Sequence, residues 1–481
     1  MTAGTGRSIT RGRVRGASVA LATMLLAGVA ALAPSAAAVP ALTDAGAVAS
    51  AHAATDATAL QVRVEVNQIS PQVLAPGQDL TVTATLTNTG TTALTQPRVL
   101  VHLARAGFIS RSSLDRWRKA GTTGDLGVTV LTVDLTTPLA PGGTATVVAT
   151  VPAGSVGLRT AATAWGPRGL ALEVVDAADP ARIRLGLVRT FTLWFPDQEV
   201  TPTQVSVLVP LVGGVPDDDA AATLEALTRT GGRLARVLDA TAEHTSVSWA
   251  VDPALVEQSA ASDAQEDDAS QGTDGPGPAT QAWGSALRTA VTGREVVLLP
   301  WGDADVTALA HARATEVLDQ ALARSRDVAS SLGLPGAATD VITWPAEQLP
   351  DLATAAFMTS DASRAVVVGP GELDAPAALT YTPSGRATVG ASGRDVTVLI
   401  PDERLSTALT TGVVASAEDA DAADMSQVTG ATAAADLLAE LAVITRERPN
   451  QSRGMLLTVP RTWAPDPAIA AAQLAALESA P

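Results

Sequence analysis

The stretch "VVLLPWGDADVTALAHA" at residues 296–312 decides how the larger part of this chain is read. Its apolar run stops at Pro300, and proline lacks the N–H needed to continue a hydrogen-bonded ladder. Asp303 and Asp305 follow, and then a helical pattern that carries His311. An acid just before a helix accepts its free N–H groups. In α/β folds the same place, outside the carboxyl ends of the strands, is where active sites sit.

The unit recurs. Seven apolar runs, "VSVLVPL", "TSVSWAVDP", "EVVLLPW", "DVITWP", "AVVVGP", "VTVLIPD" and "GMLLTVP", alternate with helical patterns after Gln204. Near-continuous apolar strands between helices imply a parallel sheet covered on its faces. Each run ends at or near a proline (Pro210, Pro253, Pro300, Pro345, Pro370, Pro401, Pro460), with acids close by. Residues 202–481 therefore read as a seven-unit α/β domain, an irregular β/α barrel, with a doubly wound open sheet as the rival. Two acidic insertions, 258–280 and 415–429, read as disordered. "ALTYTPSGRATV" (378–389) reads as a hairpin turning at Ser384-Gly385, and Ala431–Ile444, interrupted by Asp436 and Glu440, as an amphipathic helix.

Upstream the period changes. Residues 58–198 carry short Thr/Val runs such as "LQVRVEV", "DLTVTATLTN" and "RVLVHLA", with turn signals between them. Period-two alternation of this kind predicts an antiparallel, immunoglobulin-like β-sandwich. "SRSSLDRWRKAG" (110–121) breaks the pattern as a short helix capped by Ser112 or Ser113, its basic cluster a solvated face. Residues 39–57 read as a flexible leader. Before them, Arg7, Arg11, Arg13 and Arg15, an apolar stretch and Ala36-Ala37-Ala38 make residues 1–38 a signal peptide, the rival being an uncleaved anchor. The expected location is extracytoplasmic, in the envelope or secreted.

Composition narrows the chemistry. The net charge of −17 sets the chain against nucleic-acid backbones. With no cysteine there is no thiol nucleophile, disulfide or Cys-ligated zinc. His102, His244 and His311 stand apart, without the paired spacing of a catalytic metal site, so no metal and no cofactor is expected. No G-x-S-x-G and no phosphate-binding G-x-x-x-x-G-K-[ST] occurs. Glycoside hydrolysis needs only two carboxylates. The strand ends offer Asp252, Asp303, Glu347 and Asp466 as a candidate pocket, beside Trp301, Trp344 and Trp463 as candidate ligand-binding indoles. Each acid has an equally good use as a helix cap, and Asp305 reads as one.

The phrases "QISPQVLAPGQDLTVTATLTNTG", "LVPLVGGVP", "WAVDPALVE", "LLPWGDADVTALAHA", "ITWPAEQLPD" and "TVPRTWAPD", in this order, resemble an uncharacterised exported actinobacterial family, the domain-of-unknown-function 6049 family. The resemblance implies an envelope protein, often encoded near the lipid II flippase. It also implies a C-terminal half similar to the glycoside hydrolase and polysaccharide deacetylase barrel superfamily. It carries over no catalytic residues. Members of the family continue into a C-terminal transmembrane helix, so membrane attachment is expected only through such a helix or an uncleaved signal segment. The expected function is a non-catalytic scaffold for a cell-wall glycan or an envelope protein. The rival is a carbohydrate-active hydrolase using strand-end carboxylates.

Overall fold

The computed structural model describes residues 60–196, 199–213, 219–260, 276–331, 342–345, 350–357, 365–373, 375–376, 378–391, 394–414 and 427–481. The signal peptide and leader readings (1–38, 39–57), most of both acidic insertions and Glu347 lie outside the described residues.

The N-terminal part is one eight-stranded sheet. Its strands are β1 (Val62–Ser70), β2 (Val73–Leu74), β3 (Leu80–Asn88), β4 (Pro97–Leu103), β5 (Val128–Asp134), β6 (Thr144–Val151), β7 (Gly166–Asp176) and β8 (Gly186–Trp194). The order is β5-β4-β7-β8-β1-β3-β6, with β2 paired to β8. A single residue pair, Val62 with Gly186, joins β1 to β8 in parallel, and the other neighbours along this order are antiparallel. The sheet is nearly closed, because its edge strands β5 and β6 touch. β1 and β3 alternate buried and half-exposed residues, as their sequence predicts. β7 does not. It is buried along almost its whole length, so it lacks the alternation by which its neighbours are read.

Short helices interrupt the strands: α1 (Arg111–Arg118) and α2 (Ala153–Val156). The cap of α1 is Ser110, one turn earlier than Ser113, with which it forms a reciprocal capping box. The basic face of α1 is not solvated. Arg111 pairs with Asp402 (2.7 Å) and Glu440 (2.7 Å), and Arg118 pairs with Asp436 (2.9 Å).

The C-terminal part alternates strands and helices. The strands are β9 (Gln204–Leu211), β10 (Val247–Val251), β11 (Val296–Leu298), β12 (Val366–Val367), β13 (Arg386–Ala391), β14 (Arg394–Leu399) and β15 (Gly454–Thr458). The helices are α3 (Ala220–Thr228), α4 (Arg233–Thr241), α5 (Pro253–Ala260), α6 (Pro278–Ala290), α7 (Val306–His311), α8 (Thr315–Ser331), α9 (Leu352–Phe357), α10 (Glu403–Thr411), α11 (Gly430–Glu447) and α12 (Pro467–Ser479). A parallel sheet runs β11-β10-β9-β15, and a three-stranded sheet runs β12-β14-β13. Ile342 N–H donates to Leu298 O (3.0 Å), and Thr343 bridges Val366 in parallel. On the other side Asp402 N–H donates to Leu456 O (2.9 Å). The hairpin sits later than its sequence signal: β13 pairs with β14, and Gly385 N–H donates to Gly454 O instead of closing a turn.

One helix belongs to both parts. α11 is buried almost all round from Ala433 to Ile444, which marks a helix inside the molecule. Leu437, Leu441 and Ile444 join the core of the C-terminal part. Ala435 joins the core of the β part, and Ala439 and Val443 pack with Leu114 and Trp117. Asp436 and Glu440 do not make it an amphipathic surface helix. They meet the arginines of α1 and Arg404, and Glu440 is fully buried. One compact unit accordingly spans Asp56–Pro481.

Candidate functional site

The carboxyl ends of β10 and β11 bring Asp252 and Asp303 together. Asp252 follows the last residue of β10 and is 5% exposed. Its Oδ1 accepts N–H bonds from Ala254 (3.0 Å) and Gly302 (2.9 Å), so it starts α5 and also pins the loop after β11. Burial, reinforced by the negative charge of Asp303, pushes its carboxyl up to about 7 despite those bonds. The pinned loop turns tightly: Gly302 has φ +73° and Asp303 φ +45°. Left-handed backbone is ordinary for glycine, and aspartate tolerates it better than most residues.

Asp303 is held by a residue that the strand-end pattern does not flag. Arg461, just beyond β15, donates from Nε to Oδ2 (2.6 Å) and from Nη2 to Oδ1 (2.9 Å). This two-pronged pairing is the strong geometry for guanidinium and carboxylate. Arg461 also donates to the carbonyls of Trp344 (2.5 Å) and Pro345 (3.5 Å), and its guanidinium lies 5.5 Å from the Trp344 ring centre. Its own carbonyl accepts from Arg233 (2.8 Å), which also donates to Val212 O (2.7 Å). One chain of donors thus ties the ends of β9, β11, the 342–345 segment and β15.

The remaining candidates divide. Trp301 is 38% exposed, and its Nε1 donates to Glu257 (3.1 Å), which in turn pairs with Arg324. Trp463 is 4% exposed and packs in the core, so it offers no face to a ligand. Asp466 caps α12 through Ala468 N–H (2.9 Å) and Ile469 N–H (3.2 Å). Asp305 caps α7 in the same way, as expected. Asp402 caps α10 and binds Arg111 as well. Each of the three described histidines has a carboxylate neighbour: His102 with Glu173 (2.8 Å), His244 with Glu478 (3.0 Å) and His311 with Asp351 (3.0 Å). No group of three or more possible metal ligands converges among the described residues.

Chemically, the arrangement is a protonatable buried acid next to a carboxylate whose two oxygens both face a guanidinium. Outside them stands an exposed indole. General acid–base work on a substrate needs a carboxyl oxygen within hydrogen-bond reach of it. Here the chain's own donors face both oxygens of Asp303 and Oδ1 of Asp252.

The model of a family described as "Family of unknown function (DUF6049)" matches residues 13–481. No curated protein matches. Among solved structures, a β-glucosidase from Listeria innocua in complex with isofagomine is similar at 11% identity, over 28% of this chain and 16% of that one, with a TM-score of 0.18. The CARDB domain of a Pyrococcus furiosus protein, in complex with di-metal ions, is similar at 10% identity over 28% of this chain and 85% of that one (TM-score 0.17). The sporulation control protein Spo0M from Bacillus subtilis is similar at 10% identity over 28% and 49% (TM-score 0.18). At such scores the likeness bears on neither activity nor ligand.

Proposed function

The chain belongs to this family of unknown function, and from that premise we propose an exported cell-envelope protein that acts as a non-catalytic scaffold for a cell-wall glycan or an envelope protein. The observation that carries the reading is the two-pronged hold of Arg461 on Asp303. A carboxylate clamped in this way braces a loop and leaves Trp301, next to it, as the exposed contact. The architecture we propose is an immunoglobulin-like sandwich followed by a seven-unit irregular β/α barrel. The backbone bonds from Ile342 to Leu298 and from Asp402 to Leu456 support closure of that barrel. Export rests on the signal-like residues 1–38. No helix among the described residues is long and apolar enough to cross a membrane.

One observation favours a second reading, a carbohydrate-active hydrolase: the raised Asp252 carboxyl beside Asp303 is the pattern of an acid kept protonated for catalysis. A turnover screen on peptidoglycan and soluble glycans decides between them, with wild type, Asp252→Asn, Asp303→Asn and Glu347→Gln run in parallel. The scaffold reading expects no turnover from any of the four, and cell-wall sedimentation that weakens on Trp301→Ala. Wild-type turnover abolished by any one of the three acid substitutions establishes the hydrolase.

A further inference from the structure

A second site, sharing no residue with the Asp252–Asp303 cluster, lies where α11 meets the edge of the β part. A cavity of about 270 Å³ opens there, walled by Trp165, Phe195, Val200, Leu438, Leu441 and Leu477 among others. Its polar groups are largely spoken for. Thr203 and Thr445 bond to each other (2.8 Å), and Glu478 is taken by Ser246 (2.6 Å) and His244 (3.0 Å). A wider hollow of about 610 Å³ shares Phe195, Val200 and Pro481 with the cavity and provides a way in.

Behind the wall residue Trp165 stands a cation that meets no anion among the described residues. Leu438, Leu441, Ala442 and Thr445 line the cavity from one face of α11, and Arg446 is the next residue along. Its guanidinium lies 5.2 Å from the ring centre of Trp165, itself a wall residue. Among the described residues no hydrogen bond or ion pair reaches it, and burial holds its pKa below the usual arginine value. The seat is shaped for it: Gly166 has φ +122°, and a Cβ there would lie 2.6 Å from Arg446 Nη1. On the other side of Gly166, Arg168 is 4% exposed and donates to the carbonyls of Gly166 (3.1 Å), Pro167 (3.0 Å) and Ala164. Among the described residues it too meets no carboxylate, and its Nε has no hydrogen-bond partner. Burial first, and then the like charge of Arg446, push it down to about 10. This chain has 49 acids to 32 bases. Among the described residues neither of these two adjoining guanidinium groups meets an acid, and Arg446 touches the apolar cavity's wall at Trp165. Desolvated cations of this kind are costly unless an anion meets them.

We propose that this cavity binds a single-chain amphiphile, its apolar chain among Leu438, Leu441 and Leu477 and its anionic head, a carboxylate or a phosphate, paired with Arg446. The site is independent of the strand-end scaffold.

Calorimetric titration of the full chain tests it with decanoate, decyl phosphate, decanol and decyltrimethylammonium, all below their micelle concentrations. At least one anionic probe binds wild type about tenfold or more tightly than decanol, the ratio expected of a charge-assisted hydrogen bond. Whichever anion binds more tightly identifies the head group. Arg446→Gln removes the preference and leaves decanol binding in place. Val200→Trp, at the mouth, blocks every probe, and melting curves verify that both variants are folded. The proposal is overturned if neither anion binds wild type, if decanol or the cationic probe binds as tightly as the anions, or if Arg446→Gln keeps the anionic preference.

Discussion

Asp252 and Asp303 stand side by side, yet their surroundings differ. Asp252 is enclosed and meets only backbone N–H groups, whereas Asp303 meets a guanidinium. A carboxyl whose folded pKa lies above its unfolded value of about 3.9 binds its proton more readily in the folded state. Its contribution to stability is complete below about pH 4 and is lost as the pH rises through about 7. Wild type should lose about 2–3 kcal/mol of unfolding free energy between pH 5 and 8 from this group alone. Asp252→Asn should flatten that part of the profile in urea titrations; an unchanged slope would show that Asp252 is ionised in the fold. Arg461→Met strands Asp303 in a turn with positive φ. The expected cost is about 1–3 kcal/mol, with a shift in the emission of Trp301 two residues away. Both acids were legible as strand-end residues, because proline and helix signals lie within a few positions of them. Arg461 was not, since it lies 158 residues from Asp303 and no local pattern links them.

At the scale of elements, legibility follows the environment of each face. β1 and β3 have one wet and one dry face and announce themselves by alternation. β7 lies between β4 and β8, with the β core on one side and α11 on the other, so alternation is lost and the strand with it. α11 shows the converse error. Its Asp436 and Glu440 look like a wet stripe, but the stripe faces Arg111, Arg118 and Arg404, which come from residues far along the chain. Removing the fully buried acid of an ionic group costs far more than the group contributes by itself, because three guanidinium groups then stay half-buried with only Asp402, Asp436 and Asp115 to balance them. Glu440→Ala should therefore destabilise the protein by about 3–5 kcal/mol, read as a drop in urea midpoint. Asp305→Ala, a lost helix cap on α7, should cost only about 1 kcal/mol. A Glu440→Ala cost no greater than the cap's would mean that Asp402, Asp436 and Asp115, which also pair with these arginines, suffice to hold them.

Within residues 60–481, α11 joins the two parts. The change of period near residue 200 separates two sequence patterns, and two independently stable domains are the natural expectation from it. In the fold, a helix at residues 430–447 supplies walls to the cores on both sides of that boundary. Unfolding either part exposes apolar surface of the other, at about 1.5–3 kcal/mol for each large side chain uncovered. Residues 60–481 should therefore melt as one cooperative transition in scanning calorimetry, with the calorimetric and van't Hoff enthalpies in agreement. Glu440→Ala acts at the seam, where three arginines would face one another without their central acid. It should lower the melting point and also broaden or split the transition. Asp305→Ala acts within one part and should lower the melting point slightly, with the transition still single. Two wild-type transitions would show that α11 follows one part and leaves the other. A Glu440→Ala melt that stayed single would assign the coupling to the apolar contacts of Leu437, Leu441 and Val443, with the ionic group only setting the register of α1 on the helix.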